Sequence, residues 1–144
     1  MGMRTKLVTA LTGLGLLMAT GPARAHHAFA AEFDANRPIK FEATVTKMEW
    51  VNPHAWIHVD VKKPDGTVEK WMIEAGTPNT LIRRGFTKTS LLPGTQIIVD
   101  GYQSKDGSRR ANGRDLTLPN GQTLFLGSSG TGAPEDKTRG DQGK

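Results

Sequence analysis

The 144-residue sequence contains no cysteine. Disulfide bonds, zinc–thiolate sites and a lipid-modified cysteine are therefore excluded. Any folded domain in this chain must be held together by its apolar core alone. Large apolar residues are spread from Phe29 to Leu126, so a core of that kind is feasible at this length.

The sequence also lacks an apolar run long enough to span a membrane. The apolar stretch 7–19 is broken by threonine and glycine, whereas a transmembrane helix needs about 20 apolar residues. Arg4 and Lys6 precede this stretch and Ala23-Arg24-Ala25 follows it, which is the pattern of a secretory signal peptide. We expect cleavage after Ala25 to remove residues 1–25 and to leave a soluble periplasmic or secreted protein without a membrane span.

A strong excess of positive charge is missing once this segment is discounted. Cleavage after Ala25 removes Arg4, Lys6 and Arg24 but no acidic residue, which lowers the basic count from 19 to 16 against 14 acidic residues. Nucleic-acid binding needs a clustered basic face. The sequence therefore does not predict a nucleic-acid partner.

Three parts are predicted in the mature chain. Residues 26–38 show no sustained periodicity, and we expect an extended N-terminal arm that packs through Phe29 and Phe33. Residues 39–126 show the alternation of β-strands and form the predicted domain. Residues 127–144 contain small polar residues, proline and balanced charge without a large apolar group, so this tail is predicted to be disordered.

The clearest strand signal lies at the centre of the chain, over residues 54–62. Side chains alternate between the two faces of a strand. One face carries Ala55, Ile57, Val59 and Val61, and the other carries His54, Trp56, His58 and Asp60. The first face is predicted to be core, and the second presents groups that coordinate metals or stack on ligands.

The other predicted strands are separated by turn signals. Strand 39–50 changes its apolar parity near Thr46 or Lys47, which predicts a β-bulge. Pro64-Asp65-Gly66 predicts a hairpin between the central strand and strand 68–74. Strand 95–102 follows, and Asn120-Gly121 predicts a second hairpin between strands 111–118 and 122–126.

A short helix is predicted over residues 77–85. Thr77 can cap its N-terminus, Pro78 suits the first helical position and Gly85 can adopt the left-handed conformation that ends it. Three strands, a helix and two or three further strands predict a mainly β fold. We expect a small oligonucleotide/oligosaccharide-binding (OB)-like Greek-key barrel of five to six strands with one short helix between strands 3 and 4. An open sheet with the helix on one side is the alternative.

The four histidines form the sharpest chemical pattern, because they occur as two pairs. Cleavage after Ala25 makes His26 the first residue, so its α-amine and imidazole can chelate one divalent ion, with His27, His54 and His58 as further nitrogen donors. Such a nitrogen set favours copper(II). His54 and His58 are about 13 Å apart along an extended strand, so both bind one ion only if the strand bends. The alternative is a solvated chain end and two polar-face residues that bind no metal.

A metal-free binding module for a glycan or a periplasmic protein is the second function hypothesis. Trp50 and Trp56, with Asp60 beside them, are the candidate ligand-binding residues, and Trp71 and Tyr102 extend the possible stacking surface. Large aromatics also serve simply as core. Catalysis is the least supported class, because acidic residues and serines show no catalytic spacing.

The sequence resembles an uncharacterised family of small exported bacterial proteins, a domain of unknown function. The resemblance rests on these segments: His26-His27-Ala28-Phe29, Glu32-Phe33-Asp34, Glu49-Trp50-Val51-Asn52-Pro53-His54-Ala55-Trp56, Leu81-Ile82-Arg83-Arg84-Gly85, Leu92-Pro93-Gly94 and Val99-Asp100-Gly101. The resemblance extends over most of the mature chain. The resemblance implies an exported protein with a small β fold, and it implies no mechanism.

Overall fold

The computed structural model describes residues 29–127. The predicted signal peptide, the two histidines at positions 26 and 27, and the predicted tail after Gly127 lie outside these residues. Within the described range, no helix combines the length and the apolar character needed to cross a membrane.

Six strands and one capped helix follow each other along residues 33–125. They are β1 (Phe33–Glu49), β2 (Trp56–Lys62), β3 (Val68–Glu74), α1 (Pro78–Arg83), β4 (Gln96–Ser104), β5 (Arg110–Thr117) and β6 (Thr123–Phe125). Residues 29–32, ahead of β1, are also helical. Both predicted hairpins, β2–β3 and β5–β6, are confirmed.

The strands close into a barrel. β1 pairs antiparallel with both β2 and β4, while β2 also pairs with β3, and β4 with β5. A short parallel pairing between β3 and β5, in which Ile73 lies beside Ala111, completes the ring. This strand order, with α1 between β3 and β4, is that of an OB-like barrel. The predicted mainly β barrel is therefore confirmed, and the chain does not form the open-sheet alternative.

The predicted bulge in β1 is confirmed. Val45 pairs with Val59 and Lys47 pairs with His58, which leaves Thr46 as the extra residue. Because one extra residue reverses the facing parity, Val45 is buried before the bulge and Met48 packs against the core after it. The bulge thus lets the long first strand keep its apolar side chains inside a curved barrel.

The core face of the central strand is also confirmed. The residues buried there are Ala55, Ile57, Val59 and Val61. Leu81 of α1 is fully buried in the same core. Helix α1 starts as predicted, because the Thr80 backbone N–H donates to the Thr77 hydroxyl at 3.2 Å, and Gly85 follows with a φ of +92°.

The arm preceding the barrel differs from the expected extended segment. Residues 29–32 are helical and β1 begins at Phe33, within the range 26–38 predicted for the arm. Alanine and glutamate favour helix, which explains the helical start. Phe29 and Phe33 do pack, as predicted: the Phe29 ring lies 5.9 Å from Phe33 and 5.5 Å from Tyr102, in a small buried cluster of their own.

Candidate functional site

A cavity of about 280 Å³ lies beside the Asn-Pro-His loop that leads into β2, and we call it the NPH cavity. Its walls are formed by Glu32, Phe33, Val51, Asn52, Pro53, His54, Trp56, Glu74 and Arg110. These residues come from the arm, the β1–β2 loop, β2, the end of β3 and the start of β5. Barrel closure brings the last two together, because Glu74 and Asn112 are partners in the β3–β5 pairing.

His54 and Glu74 form the centre of the cavity wall. His54 Nδ1 lies 2.9 Å from Glu74 Oε1, and the Asn112 side-chain amide donates to the same oxygen at 3.3 Å. Glu74 is buried. Burial raises the pKa of the Glu74 carboxyl, and the charge of Glu32 adds to this rise, whereas His54 and Asn112 oppose it.

This contact decides which imidazole nitrogen of His54 is available to a ligand. An ionised Glu74 offers only acceptor oxygens, so the ring nitrogen that faces it carries the hydrogen. In the neutral form of the ring, the lone pair then lies on Nε2 of His54. A neutral imidazole oriented in this way by a carboxylate is the arrangement found in metal sites.

An ion pair connects the arm to the barrel on the other side of the cavity. Arg110 Nη2 lies 3.1 Å from Glu32 Oε2, and the Arg110 guanidinium lies 5.1 Å from the ring centroid of Trp56. The backbone N–H of Lys105 also donates to the Glu32 carbonyl at 2.9 Å. These contacts hold the start of the described chain against the barrel.

His58 lies in a different place, in a groove of about 430 Å³ that we call the His58 groove. It is lined by Thr46, Lys47, His58, Val59, Asp60, Lys70, Trp71, Met72, Arg109 and Arg110. His58 Nε2 is buried without a hydrogen-bond partner, and the nearby Glu49 Oε2 is 3.6 Å away. Glu49 pairs with Lys47, whose hydrogen bond lowers the pKa of the Glu49 carboxyl.

The structure separates the residues that the sequence grouped as candidates. His54 and Trp56 line the NPH cavity, whereas His58 and Asp60 line the His58 groove. Trp50 packs against the main core. Within residues 29–127, no three histidine, aspartate or glutamate side chains converge as a metal site.

The predicted aromatic surface is not assembled either. Trp71 is buried in the main core beside Phe41, with ring centroids 5.1 Å apart. Tyr102 is buried in the second cluster with Phe29. Trp56 lines the NPH cavity, where the Arg110 guanidinium lies over its ring, and Trp71 lines the His58 groove, so the two rings do not form one surface.

Sequence reasoning missed three residues that line the cavity, Glu32, Glu74 and Arg110, and it also missed Asn112, whose side-chain amide donates to Glu74. Glu74 shares the outward parity of Lys70 and Met72, so alternation alone predicts an exposed side chain. It is buried because the β3–β5 pairing places Asn112 beside it. In the predicted hairpin, Glu74 lies opposite Trp56, a candidate ligand-binding residue. This cross-strand position was the one sequence feature that pointed to Glu74 as a site residue.

The chain matches no curated protein and no solved structure. A family model does match it, over residues 14–113, which includes all four histidines and the chain from the arm to the first part of β5. The matched family is described only as a family of unknown function, so it assigns no activity to the NPH cavity. The chain belongs to this family of unknown function, DUF6152.

Proposed function

We propose that the mature protein is an exported binding protein that holds one divalent transition-metal ion, preferably copper(II), in the NPH cavity. His54 binds the ion through Nε2, and His26 binds it through the α-amine and imidazole that cleavage after Ala25 exposes. The contact of 2.9 Å between His54 Nδ1 and Glu74 carries the proposal. Metal-binding histidines almost always donate their second ring N–H to a carboxylate or carbonyl group.

The course of the arm supports the contribution of the N-terminus. Glu32 and Phe33 line the same cavity as His54. His26 precedes Phe29 by three residues, a length of chain that spans at most about 10 Å. His27 is then the next nitrogen donor, and a set of three or four nitrogens favours copper(II).

The charges of the two cavities favour His54 over His58 as the partner of the N-terminus. Two carboxyl groups, Glu32 and Glu74, line the NPH cavity against one arginine. In the His58 groove, Lys47, Lys70, Arg109 and Arg110 outnumber Asp60. A dication is repelled by the second set of charges and attracted by the first.

Titration calorimetry with copper(II) tests the proposal on protein that begins at His26. We expect one bound ion, and a loss of affinity of at least about tenfold when the α-amine of His26 is acetylated, because acetylation removes the chelating amine. His54→Ala should give a similar loss, whereas the matched variant His58→Ala should bind as the unmodified protein does. Equal affinities for the free and acetylated N-termini would refute the terminal chelate.

A metal-free module that binds a glycan or a periplasmic protein is the second candidate. It is supported by Trp56, which lines the NPH cavity beside charged and amide groups, since sugar sites combine an aromatic ring with polar side chains. Tryptophan fluorescence of chelator-treated protein, titrated with soluble peptidoglycan fragments, tests it. Saturable binding that Trp56→Ala removes and His26 processing does not affect would favour this candidate over copper.

A further inference from the structure

We propose that the His58 groove binds an acidic polysaccharide, whose carboxylate groups contact the cationic side chains of the groove walls. The groove is separate from the NPH cavity, and this inference does not depend on copper binding. Among the described residues that line the groove, Asp60 is the one acidic residue, and four are cationic: Lys47, Lys70, Arg109 and Arg110. An anionic ligand is therefore attracted to this side of the barrel.

The cationic groups are distributed across the sheet and do not converge on one point. A row of cross-strand neighbours runs from β1 to β5 through Lys47, His58, Met72 and Arg110. Adjacent strands lie about 4.8 Å apart, so the three steps of this row separate its two cationic ends by about 14 Å at the backbone. A polymer with repeated negative charges therefore matches the groove better than a single small anion does.

The cationic groups are available to a ligand, because their present ion pairs are exposed or absent. Lys47 contacts Glu49, and Arg109 Nη2 lies 3.3 Å from Glu69 Oε1. The side chains of Lys47 and Arg109 are 62% and 58% exposed, and exposed ion pairs contribute little to stability. Lys70 is exposed and, among the residues that the structure describes, has none of the ion pairs that its cationic neighbours form.

The remaining lining favours a sugar polymer over other polyanions. Asp60 lies opposite Lys70 in the β2–β3 pairing, so the groove combines cationic donors with a carboxylate that accepts hydrogen bonds from hydroxyl groups. A polysaccharide supplies such hydroxyl groups, whereas polyphosphate lacks them and is only repelled by Asp60. Trp71 lines the groove but is 8% exposed, so its ring offers little surface on which nucleic-acid bases could stack.

An acidic peptide matches the groove less well, because the strands beneath it already use their backbone groups. β2 pairs with β1 on one side and with β3 on the other. The Met72 backbone N–H of β3 donates to the Arg109 carbonyl at 3.0 Å. Peptides that bind to a sheet commonly add a strand to an exposed edge. The groove instead offers charged side chains, which suit a ligand that is recognised by its carboxylates.

Fluorescence anisotropy with labelled alginate oligosaccharides, whose sugar units carry carboxylates, tests the proposal on copper-free protein that begins at His26. We expect saturable binding that weakens strongly as salt is added, because salt screens exposed charges. Lys70→Gln and Arg109→Gln should each lower the affinity by about two- to fivefold, as expected for the loss of an exposed ion pair. Lys88→Gln is the matched control, because Lys88 is exposed and lines neither the His58 groove nor the NPH cavity.

Asp60→Ala distinguishes a polysaccharide from other polyanions. Removal of its charge favours every polyanion, but only a sugar polymer loses a hydrogen-bonding partner for its hydroxyl groups. The ratio of alginate affinity to polyphosphate affinity should therefore fall by about fivefold or more in this variant. An unchanged ratio, or polyglutamate that binds as tightly as alginate, would overturn the assignment to a polysaccharide.

Two further results would overturn the groove as the site. They are wild-type protein that binds no alginate, and a Lys88→Gln variant that loses as much affinity as Lys70→Gln does. Copper binding is measured separately, and Lys70 and Arg109 line only the His58 groove. Failure of the polysaccharide site therefore leaves the copper proposal intact, and failure of the copper proposal leaves the polysaccharide site intact.

Discussion

The sequence pattern puts His54 and His58 on the same face of one strand, yet in the structure β2 begins after His54, at Trp56, and the surroundings of the two histidines differ in charge and burial. The carboxylate near His54 is Glu74, whose side chain is 9% exposed, and burial raises its pKa. The carboxylate near His58 is Glu49, which is 31% exposed and has a pKa lowered by Lys47. Two histidines predicted on one strand face can therefore have different chemical environments, because residues of the neighbouring strands determine the charge and burial around each histidine.

The difference arises from where the barrel closes. The end of β3 pairs with the start of β5, so Glu74 receives Asn112 as a neighbour and loses most of its contact with water. His58 pairs instead with Lys47 of β1 and with Met72 of β3. The His54 end thus has a buried carboxyl group beside the histidine, whereas the His58 end is a groove with cationic walls.

Displacement of β5 should have the largest effect on the difference between the surroundings of His54 and His58. A Cβ added at Gly101 of β4 would lie 2.1 Å from the backbone oxygen of Asn112. Gly101→Ala must therefore push apart β4 and β5 and move Asn112 away from Glu74. We expect a loss of about 3 kcal/mol or more in the free energy of unfolding, measured by urea denaturation.

Gly121→Ala is the matched control for this steric effect. Gly121 has a φ of +81°, and a Cβ added there would have no atom within 4 Å. Alanine there carries only backbone strain, of about 1–2 kcal/mol. A Gly101→Ala variant no less stable than Gly121→Ala would show that β5 yields without cost, and the rigid junction under the NPH cavity would be disproved.

Replacing Glu74 and Glu49 one at a time tests the difference between the two histidine environments. Glu74→Gln removes the charge that orients His54, and we expect copper affinity to fall by about 10–100-fold, as it does when other carboxylates that orient a metal-binding histidine are replaced. Folding stability should stay equal or increase, because the substitution removes a buried ionisable group. Calorimetry and urea denaturation of the same samples measure both effects.

Glu49→Gln provides the comparison at the His58 end. Glu49 is partly exposed and bonded to Lys47, and exposed ion pairs contribute little. Copper affinity should therefore change by less than about twofold. If Glu49→Gln weakened copper binding as much as Glu74→Gln does, the result would contradict a metal site at His54.

Much of the barrel follows from local sequence signals. The alternation from Ala55 to Val61, the turn at Pro64-Asp65-Gly66 and the capped helix after Thr77 each depend on neighbouring residues, and each is found where it was predicted. The bulge at Thr46 was visible as a change of parity. These features need no knowledge of distant strands.

The NPH cavity required information that the local pattern does not contain. The partners of His54 come from β3 and β5, and the register between those strands is set by barrel closure. Alternation gives Glu74 an outward direction without revealing that Asn112 covers it. Arg110 looked like part of a solvated basic pair with Arg109, although the two arginines pair with acids in different parts of the barrel.

The smallest predicted effect concerns the loop that precedes Arg109 and Arg110. Asp106 accepts hydrogen bonds from the Ser108 backbone N–H at 2.8 Å and from the Ser104 hydroxyl at 2.7 Å. The Ser108 and Ser104 bonds lower the pKa of the Asp106 carboxyl to about 2. A depressed pKa stabilises the folded state above the ordinary pKa of 3.8, and this contribution disappears as the pH falls towards 2.

Thermal unfolding of Asp106→Asn and wild-type protein between pH 2 and pH 5 measures this contribution, because the other acids titrate in both proteins and cancel. We expect the wild type to have the higher melting temperature above about pH 4 and the difference to vanish near pH 2. Since the loop leads directly into Arg109 and Arg110, its loosening should affect the arginines of both cavities alike. A melting-temperature difference that stays constant over this range would mean that ionised Asp106 does not hold the loop.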